Sequence, residues 1–262
     1  MDAVTALPRI EINGHTATAE ELSHPALVNY GHVTVMQVRG GRTRGIDLHL
    51  ARLDAANNVL FGAGIDALLV RERIRHALGE TADATVRVGV FWPEGDDGPS
   101  IMVAVRPPAS PSSTPLRLQT AIYQRPVPHV KHFGAFGQIY YGRRAGQAGY
   151  DDALLVDADG VIAEGALTNL ACYDGSSVIW PDAPALDGIT MLLLEQALPA
   201  RGVPSRRGPV RIADLESYAA VFATNSRGVA AVGRVNELRL PVPEEFMNTV
   251  IQTYESVPWD PI

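Results

Sequence analysis

The chain has 262 residues, 46% of them hydrophobic and 19% charged. That is enough to bury about three quarters of its unfolded surface in one large or two modest cores, and no apolar run reaches the roughly 20 residues of a membrane helix. The net charge of −7 and the single cysteine, Cys172, argue against nucleic-acid binding, an intrachain disulfide and a Cys-rich metal site, and no metal is expected.

The opening MDAVTALPRIEING shows no basic region followed by an apolar block, so no secretory signal is read and a cytoplasmic location is expected. Residues 8–13, 31–39 and 42–46 predict short strands joined at Asn13-Gly14 and Gly40-Gly41, an opening hairpin meander. Asp47 precedes LHLARLDAANNVLFG, whose Leu48, Leu50, Leu53, Ala56, Val59 and Leu60 recur near helical spacing. A second amphipathic helix follows in ALLVRERIRHAL, then the β-rich runs TVRVGVFWP and SIMVAVRPP around the turn EGDDGPS. PPASPSSTP, residues 107–115, can continue neither a helix nor a central strand and reads as a linker. It separates a small α+β domain, 1–106, from a larger β-rich domain, 116–262. The second domain opens with the strand LRLQTAIYQ and a Pro-broken loop ending at Lys131. A helix around FGQIYYGRRAGQAG, a long β section from Asp152 to Trp180, a helix starting near Thr190 and a last helix in EEFMNTVIQTYES complete it.

Of the 22 Lys+Arg residues, 21 are arginine and one is lysine, Lys131. Arginine serves wherever a permanent cation suffices, so the exception suggests an amine that is deprotonated when desolvated and acts as nucleophile, base or Schiff-base partner. The bland alternative is a chance surface survivor. Lys131 sits in a loop between a strand and a helix, flanked by Val127, Val130 and Phe133, and apolar surroundings favour the neutral amine. Downstream, Glu164 lies inside an otherwise apolar strand. It is either an outward-facing strand residue or a buried carboxylate held by a cationic partner, such as a protonated pyridine nitrogen. ALDGITMLLLEQAL feeds a Gly-containing turn into a helix, where the N–H groups of Ile189 and Thr190 and the threonine hydroxyl could cradle a phosphate. ATNSRGVAAV adds Thr224, Asn225 and Ser226 in a second hydroxyl-rich turn. Arg52 could reach a phosphate bidentately. Each of these alone also reads as an ordinary helix start, polar loop or solvated arginine.

Together the ordered set, Arg52 in DLHLARL, Lys131 in VKHF, Glu164 in DGVIAEGALTNL, then LDGIT and ATNS, resembles the class IV aminotransferases. These are fold type IV pyridoxal-phosphate enzymes that include branched-chain and D-amino-acid aminotransferases and aminodeoxychorismate lyase. The resemblance covers nearly the whole chain, from EING to VGRVNEL. It implies a two-domain α/β (α+β) fold whose larger domain binds pyridoxal 5'-phosphate. The active site is expected between the lobes, completed by a loop of a second subunit in a homodimer. Lys131 is implied as the catalytic Schiff-base lysine that also moves the α-proton, and Glu164 as the partner of the pyridine nitrogen. Arg52, Ile189, Thr190 and Ser226 or Thr224 are implied as the phosphate site, and Asn169 as support for the cofactor pocket.

Departures from the family pattern bear on substrate. NYGHVTVMQV keeps Gly31 but places Thr34 and Val35 where many members carry Glu-Thr. Branched-chain enzymes place a tyrosine shortly after the lysine, and this chain has Phe136 there. The run VKHFGAFGQIYYGRRAGQAGYDDALLVD is closer to aminodeoxychorismate lyase and its relatives. Thr34, Arg39, Arg106 and Arg125 are candidate substrate-binding residues, the arginines for substrate carboxylates. The leading expectation is transamination between an amino acid or amine and a 2-keto acid. The alternatives are elimination of pyruvate from aminodeoxychorismate to leave 4-aminobenzoate, and a non-catalytic cofactor-binding paralogue.

Overall fold

The computed structural model describes residues 8–262. Residues 1–7, over which the secretory-signal reading partly falls, lie outside the described residues. The chain divides into two compact units, one of Met1–Ala109, Val130–Gly134 and Pro258–Ile262, the other of Ser110–His129 and Ala135–Val257.

The first unit holds β1 (Arg9–Ile12), β2 (His15–Thr16), α1 (Ala19–Leu27), β3 (His32–Val38), β4 (Arg42–Thr43), α2 (Ile46–Phe61), α3 (Ala67–Leu78), β5 (Ala84–Phe91) and β6 (Ser100–Arg106). Five of the strands form an antiparallel sheet in the order β2-β1-β6-β5-β3. Met36, Val38, Val86, Val88, Val90, Val103 and Val105 line one face and pack against Leu50, Leu53, Val70 and Ile74 of α2 and α3. Side chains alternate across a strand, so Val33, Val35, Arg87, Gly89, Met102 and Arg106 belong to the opposite face. Both expected turns close, Asn13-Gly14 between β1 and β2 and Gly40-Gly41 between Arg39 and Arg42, but they do not join into one meander. β1 pairs with β6, and β3 lies at the far edge beside β5, because both strands find their apolar register with the two strongest β runs.

Two local features also depart from the sequence reading. Residues 42–46 give only the short β4, and α2 begins at Ile46. Its N-terminus is capped from the far end of the chain, where the Asp260 carboxylate accepts the N–H groups of Gly45 at 2.9 Å and Ile46 at 3.2 Å. α1 is an element the apolar pattern hides, since it buries no residue and contains Pro25. A capping box starts it: the Thr18 hydroxyl accepts from Glu21 N, and the Glu21 carboxylate accepts from Thr18 N.

The second unit comprises β7 (Leu116–Ile122), α4 (Phe136–Gln147), β8 (Asp152–Val156), β9 (Ile162–Gly165), β10 (Asn169–Tyr173), β11 (Val178–Pro181), α5 (Ile189–Ala197), β12 (Ser205–Gly208), β13 (Ala220–Asn225), β14 (Gly228–Val235), β15 (Leu238–Arg239) and α6 (Glu244–Glu255). Its nine-stranded sheet runs β12-β11-β10-β13-β14-β7-β8-β9, with β15 on β14. The sheet curls, so that β9 at one end returns against β10 and β11. One side of the sheet is filled by Leu118, Leu154, Ile162, Leu170 and Val221. The other is covered by α5 and α6 over Trp180 and Phe222. The curl is what gathers β9, β10, β13 and the start of α5.

Candidate active site

In the second unit, Asn169 and Thr224 are direct register partners across β10 and β13. Asn169 Nδ2 donates to the Leu186 carbonyl at 2.6 Å, and the Leu186 N–H donates to Glu164 Oε2 at 3.2 Å. One residue of the loop before α5 is thus gripped at both its backbone groups by two of the expected cofactor residues. Glu164 is 8% exposed, so of its two readings the structure has the buried carboxylate. Arg125 stands beside it, with Nε 2.9 Å from Oε1.

At the start of α5, Gly188 is the N-cap and no side chain caps the helix, which leaves its first N–H groups and the positive end of its dipole uncompensated by a cap. A Cβ on Gly188 would lie 2.0 Å from Asn169 Oδ1, so only glycine permits this approach. The buried Thr190 hydroxyl donates to the Asn225 carbonyl at 2.6 Å. The Thr224 hydroxyl belongs to a residue that is 1% exposed, and it has no hydrogen-bond partner among the described residues. Ser226 is half-buried in the two-residue turn from β13 to β14. An orphaned buried hydroxyl beside an uncapped helix start is a donor set that fits a phosphate. A buried carboxylate on the same sheet fits a protonated ring nitrogen. These residues therefore suit pyridoxal phosphate.

In the first unit, Lys131 is at the centre of a tight turn beside β3, where His132 N donates to the Val130 carbonyl at 2.9 Å. The Lys131 carbonyl accepts from Val33 N at 2.8 Å, His32 and His132 form a bridge, and Phe133 N donates to the Gly31 carbonyl at 2.8 Å. The Phe133 ring occupies the space that a Cβ on Gly31 or Gly89 would need, at 2.7 Å and 3.1 Å. Lys131 is half-buried and Val130 is buried, while Val127 is 44% exposed. Arg52 is half-buried on α2, one turn beyond His49.

Four residues are the sequence candidates for the substrate side. Thr34 is fully buried on the helix-facing side of β3 and bonded to His49. Arg39 is committed to the carbonyls of Val38 and Ala109 and to Gln37. Arg125 is engaged with Glu164. Arg106 is exposed at the end of β6. The sequence reading misses Arg87, which lies on the same sheet face as Arg106, with its guanidinium 5.8 Å from the Phe133 ring. Burial and then the neighbouring Arg106 charge push its pKa down, and among the described residues it has no carboxylate partner. The available signal is a lone charge in the buried run TVRVGVF.

Among the described residues there is no cluster of His, Cys, Asp and Glu able to hold a metal. No helix among them is long and apolar enough to cross a membrane.

Residues 31–235 match the family described as amino-transferase class IV. No curated protein sequence matches the chain. Among solved structures, a hypothetical aminotransferase from Mycobacterium tuberculosis in its PLP-bound form aligns with a TM-score of 0.80 at 19% identity, over 98% of this chain and 93% of that one. Branched-chain amino acid aminotransferase from Escherichia coli aligns at 0.81 and 18%, over 94% and 92%. The branched-chain aminotransferase of the archaeon Thermoproteus uzoniensis, solved with norvaline, aligns at 0.80 and 18%, over 95% and 93%. These similarities establish a fold type IV architecture. The chain belongs to the class IV aminotransferase family.

Proposed function

We propose that this family member is a pyridoxal-phosphate-dependent aminotransferase that moves an amino group between an amino acid or amine and a 2-keto acid. The observation that carries this reading is the buried donor set at the start of α5, where Thr224 presents a hydroxyl with no partner among the described residues. The cofactor, when bound, supplies an aldehyde that captures amines and a ring that accepts electrons from the substrate α-carbon. The protein's part is to hold it and move protons. Lys131 binds the cofactor through its amine and, once displaced, carries the substrate α-proton. Glu164 accepts the ring N–H. Ile189, Thr190, Thr224, Ser226 and Arg52 hold the phosphate, and Asn169 fixes the loop beneath it.

Arg87 and Arg106 carry positive charge on the sheet face that Phe133 covers and are suited to a substrate carboxylate. That chemistry agrees with the α-ketoglutarate bound in a structure of the Mycobacterium tuberculosis relative. A second copy of the chain is the expected partner, and α4 offers it Phe136, Ile139 and Tyr140, which are 81%, 49% and 42% exposed.

The deciding experiment is the visible spectrum of purified protein before and after borohydride, followed by peptide mapping. A yellow protein that bleaches with the cofactor fixed on the Lys131 peptide supports the reading. A protein that stays colourless with added pyridoxal phosphate overturns it. The lyase reading is kept because Phe136 brings no phenol hydroxyl where branched-chain enzymes carry one. It is separated by asking whether pyruvate is released with no keto acid present.

A further inference from the structure

The loop from β11 to α5 is gripped at both ends by the edge strand β12. At its start the Asp182 N–H donates to the Gly208 carbonyl at 2.9 Å. At its end Arg207 Nη1 donates to Asp187 Oδ1 at 2.8 Å, one residue before the N-cap Gly188. The same guanidinium turns its other edge to α5, where Nε and Nη2 donate to Oε1 and Oε2 of Glu195, both at 3.0 Å. Arg207 thus ties the residue before the cap to the second half of the helix that the cap opens. Strand register sets where it stands: Arg207 is the parallel partner of Trp180, which packs with Met191 and Leu194 of α5.

A lone exposed ion pair contributes little. Here one carboxylate takes the fork of the guanidinium and a second takes its remaining nitrogen, a planar arrangement that a lysine ammonium cannot reproduce. Glu195, with a side chain only 20% exposed, is the better shielded anchor. The grip also completes a series. Leu186 is held through its backbone by Asn169 and Glu164, Asp187 by Arg207, and Gly188 by its close approach to Asn169. The N–H groups of Ile189 and Thr190 follow directly on these three residues, so their direction is inherited from them.

We propose that Arg207 is a positioning residue for the cofactor's phosphate: by bridging Asp187 and Glu195 it fixes the aim of the Ile189 and Thr190 N–H groups, and with it the preference for a phosphorylated ligand. The inference rests on the reading above that the start of α5 holds the phosphate. Arg207 acts through Asp187, since all three of its guanidinium nitrogens donate to carboxylates. The sign of a charge effect separates this bridge from plain attraction. Removing the Glu195 charge would by itself tighten the binding of an anion nearby. Removing Glu195 as the anchor of the bridge weakens it.

The test titrates pyridoxal phosphate and, separately, pyridoxal into cofactor-free wild-type, Arg207→Gln, Arg207→Lys, Glu195→Ala and Thr224→Val, with binding followed by visible absorption. Pyridoxal carries the same aldehyde and ring without the phosphate, so the ratio of the two affinities isolates the phosphate site. A substitution that merely destabilises the fold lowers the Tm and leaves this ratio alone. In Arg207→Gln the ratio should fall about threefold or more. It should fall similarly in Arg207→Lys, which keeps the charge without the fork, and in Glu195→Ala, against the direction that the lost charge would give. A wild-type ratio in Arg207→Lys, or a raised one in Glu195→Ala, would assign the effect to charge and overturn the proposal. An unchanged ratio in Arg207→Gln, with Thr224→Val still lowering it, would overturn the proposal and leave the phosphate site standing. An unchanged ratio in Thr224→Val as well would overturn that reading and the proposal with it. Glu195→Ala puts the best helix former at a half-buried position of α5, so the sign of its effect decides even where Arg207→Gln does not fold.

Discussion

The Thr34 hydroxyl and His49 Nδ1 lie 2.6 Å apart between β3 and α2, both residues buried. Burial, and then the Arg52 charge, hold the His49 imidazole down at about 3, from an ordinary 6.5. A folded-state pKa below the unfolded one means that protonation favours unfolding. The stability is complete above pH 6.5 and is lost as pH falls toward 3. Between pH 6.5 and pH 5 the loss is about 2 kcal/mol, at about 1.4 kcal/mol per pH unit. His49→Gln can still pair with Thr34 but cannot titrate. Urea unfolding at both pH values should show the wild-type slope reduced in the variant, and equal slopes would remove His49 as the cause.

Thr224 carries a buried hydroxyl with no partner among the described residues, and an unsatisfied buried polar group costs about 1–3 kcal/mol. Thr224→Val keeps the shape and removes the hydroxyl. The cofactor-free protein should become more stable by about 1 kcal/mol. Affinity for pyridoxal phosphate should fall about tenfold, the loss of one hydrogen bond to a charged group. Thermal melts of the cofactor-free protein and a cofactor titration measure the two changes. A variant that loses stability and keeps its affinity would place the phosphate elsewhere.

The elements are legible where period and turn chemistry agree. α2, α3, β5, β6 and α6 follow their apolar spacing closely. What stays hidden is non-local or lacks a hydrophobic face. α1 buries nothing and contains Pro25. The cap of α2 arrives from Asp260. β1 bypasses β3 to pair with β6. In the candidate site, residue types at ordered positions point to Lys131, Glu164, Thr190 and Thr224. The backbone of Leu186 joins Glu164 to Asn169 through groups every residue has, so no side-chain pattern announces it. Arg125 is legible as an arginine, but its partner depends on how a loop folds against a distant strand.

Gly188 is required by proximity, with a φ of −64° that any residue adopts. A methyl group there would meet Asn169 Oδ1 at 2.0 Å, and Asn169 is held by its bond to Leu186. Gly188→Ala should therefore break that bond or shift the start of α5, at a cost of about 1–3 kcal/mol. Calorimetry should show a lower Tm, and a cofactor titration should show affinity weakened at least tenfold, since the helix start and Asn169 move together. In the background of Asn169→Ala the same substitution should cost little. An undiminished effect there would mean that the clash is with something other than Asn169.

Arg87 is paired across the sheet with Val35 and Ala104, neither of which can neutralise it. With Arg106 adding to the burial that depresses its pKa, the cofactor-free protein gains little from keeping a cation there beyond its contact with the Phe133 ring. Arg87→Leu should leave the Tm unchanged or raise it slightly. A carboxylate arriving on this face would gain a charge-assisted hydrogen bond, worth about 1.5–3 kcal/mol, so on the proposed aminotransferase reading the KM for a 2-keto acid acceptor should rise about 10- to 100-fold. Arg87→Lys keeps the charge without the bidentate fork and should fall between the two. Steady-state rates against α-ketoglutarate and against an uncharged aldehyde acceptor separate the effects, because only the first uses the carboxylate. An equal loss for both acceptors would assign Arg87 to the packing of Phe133 instead.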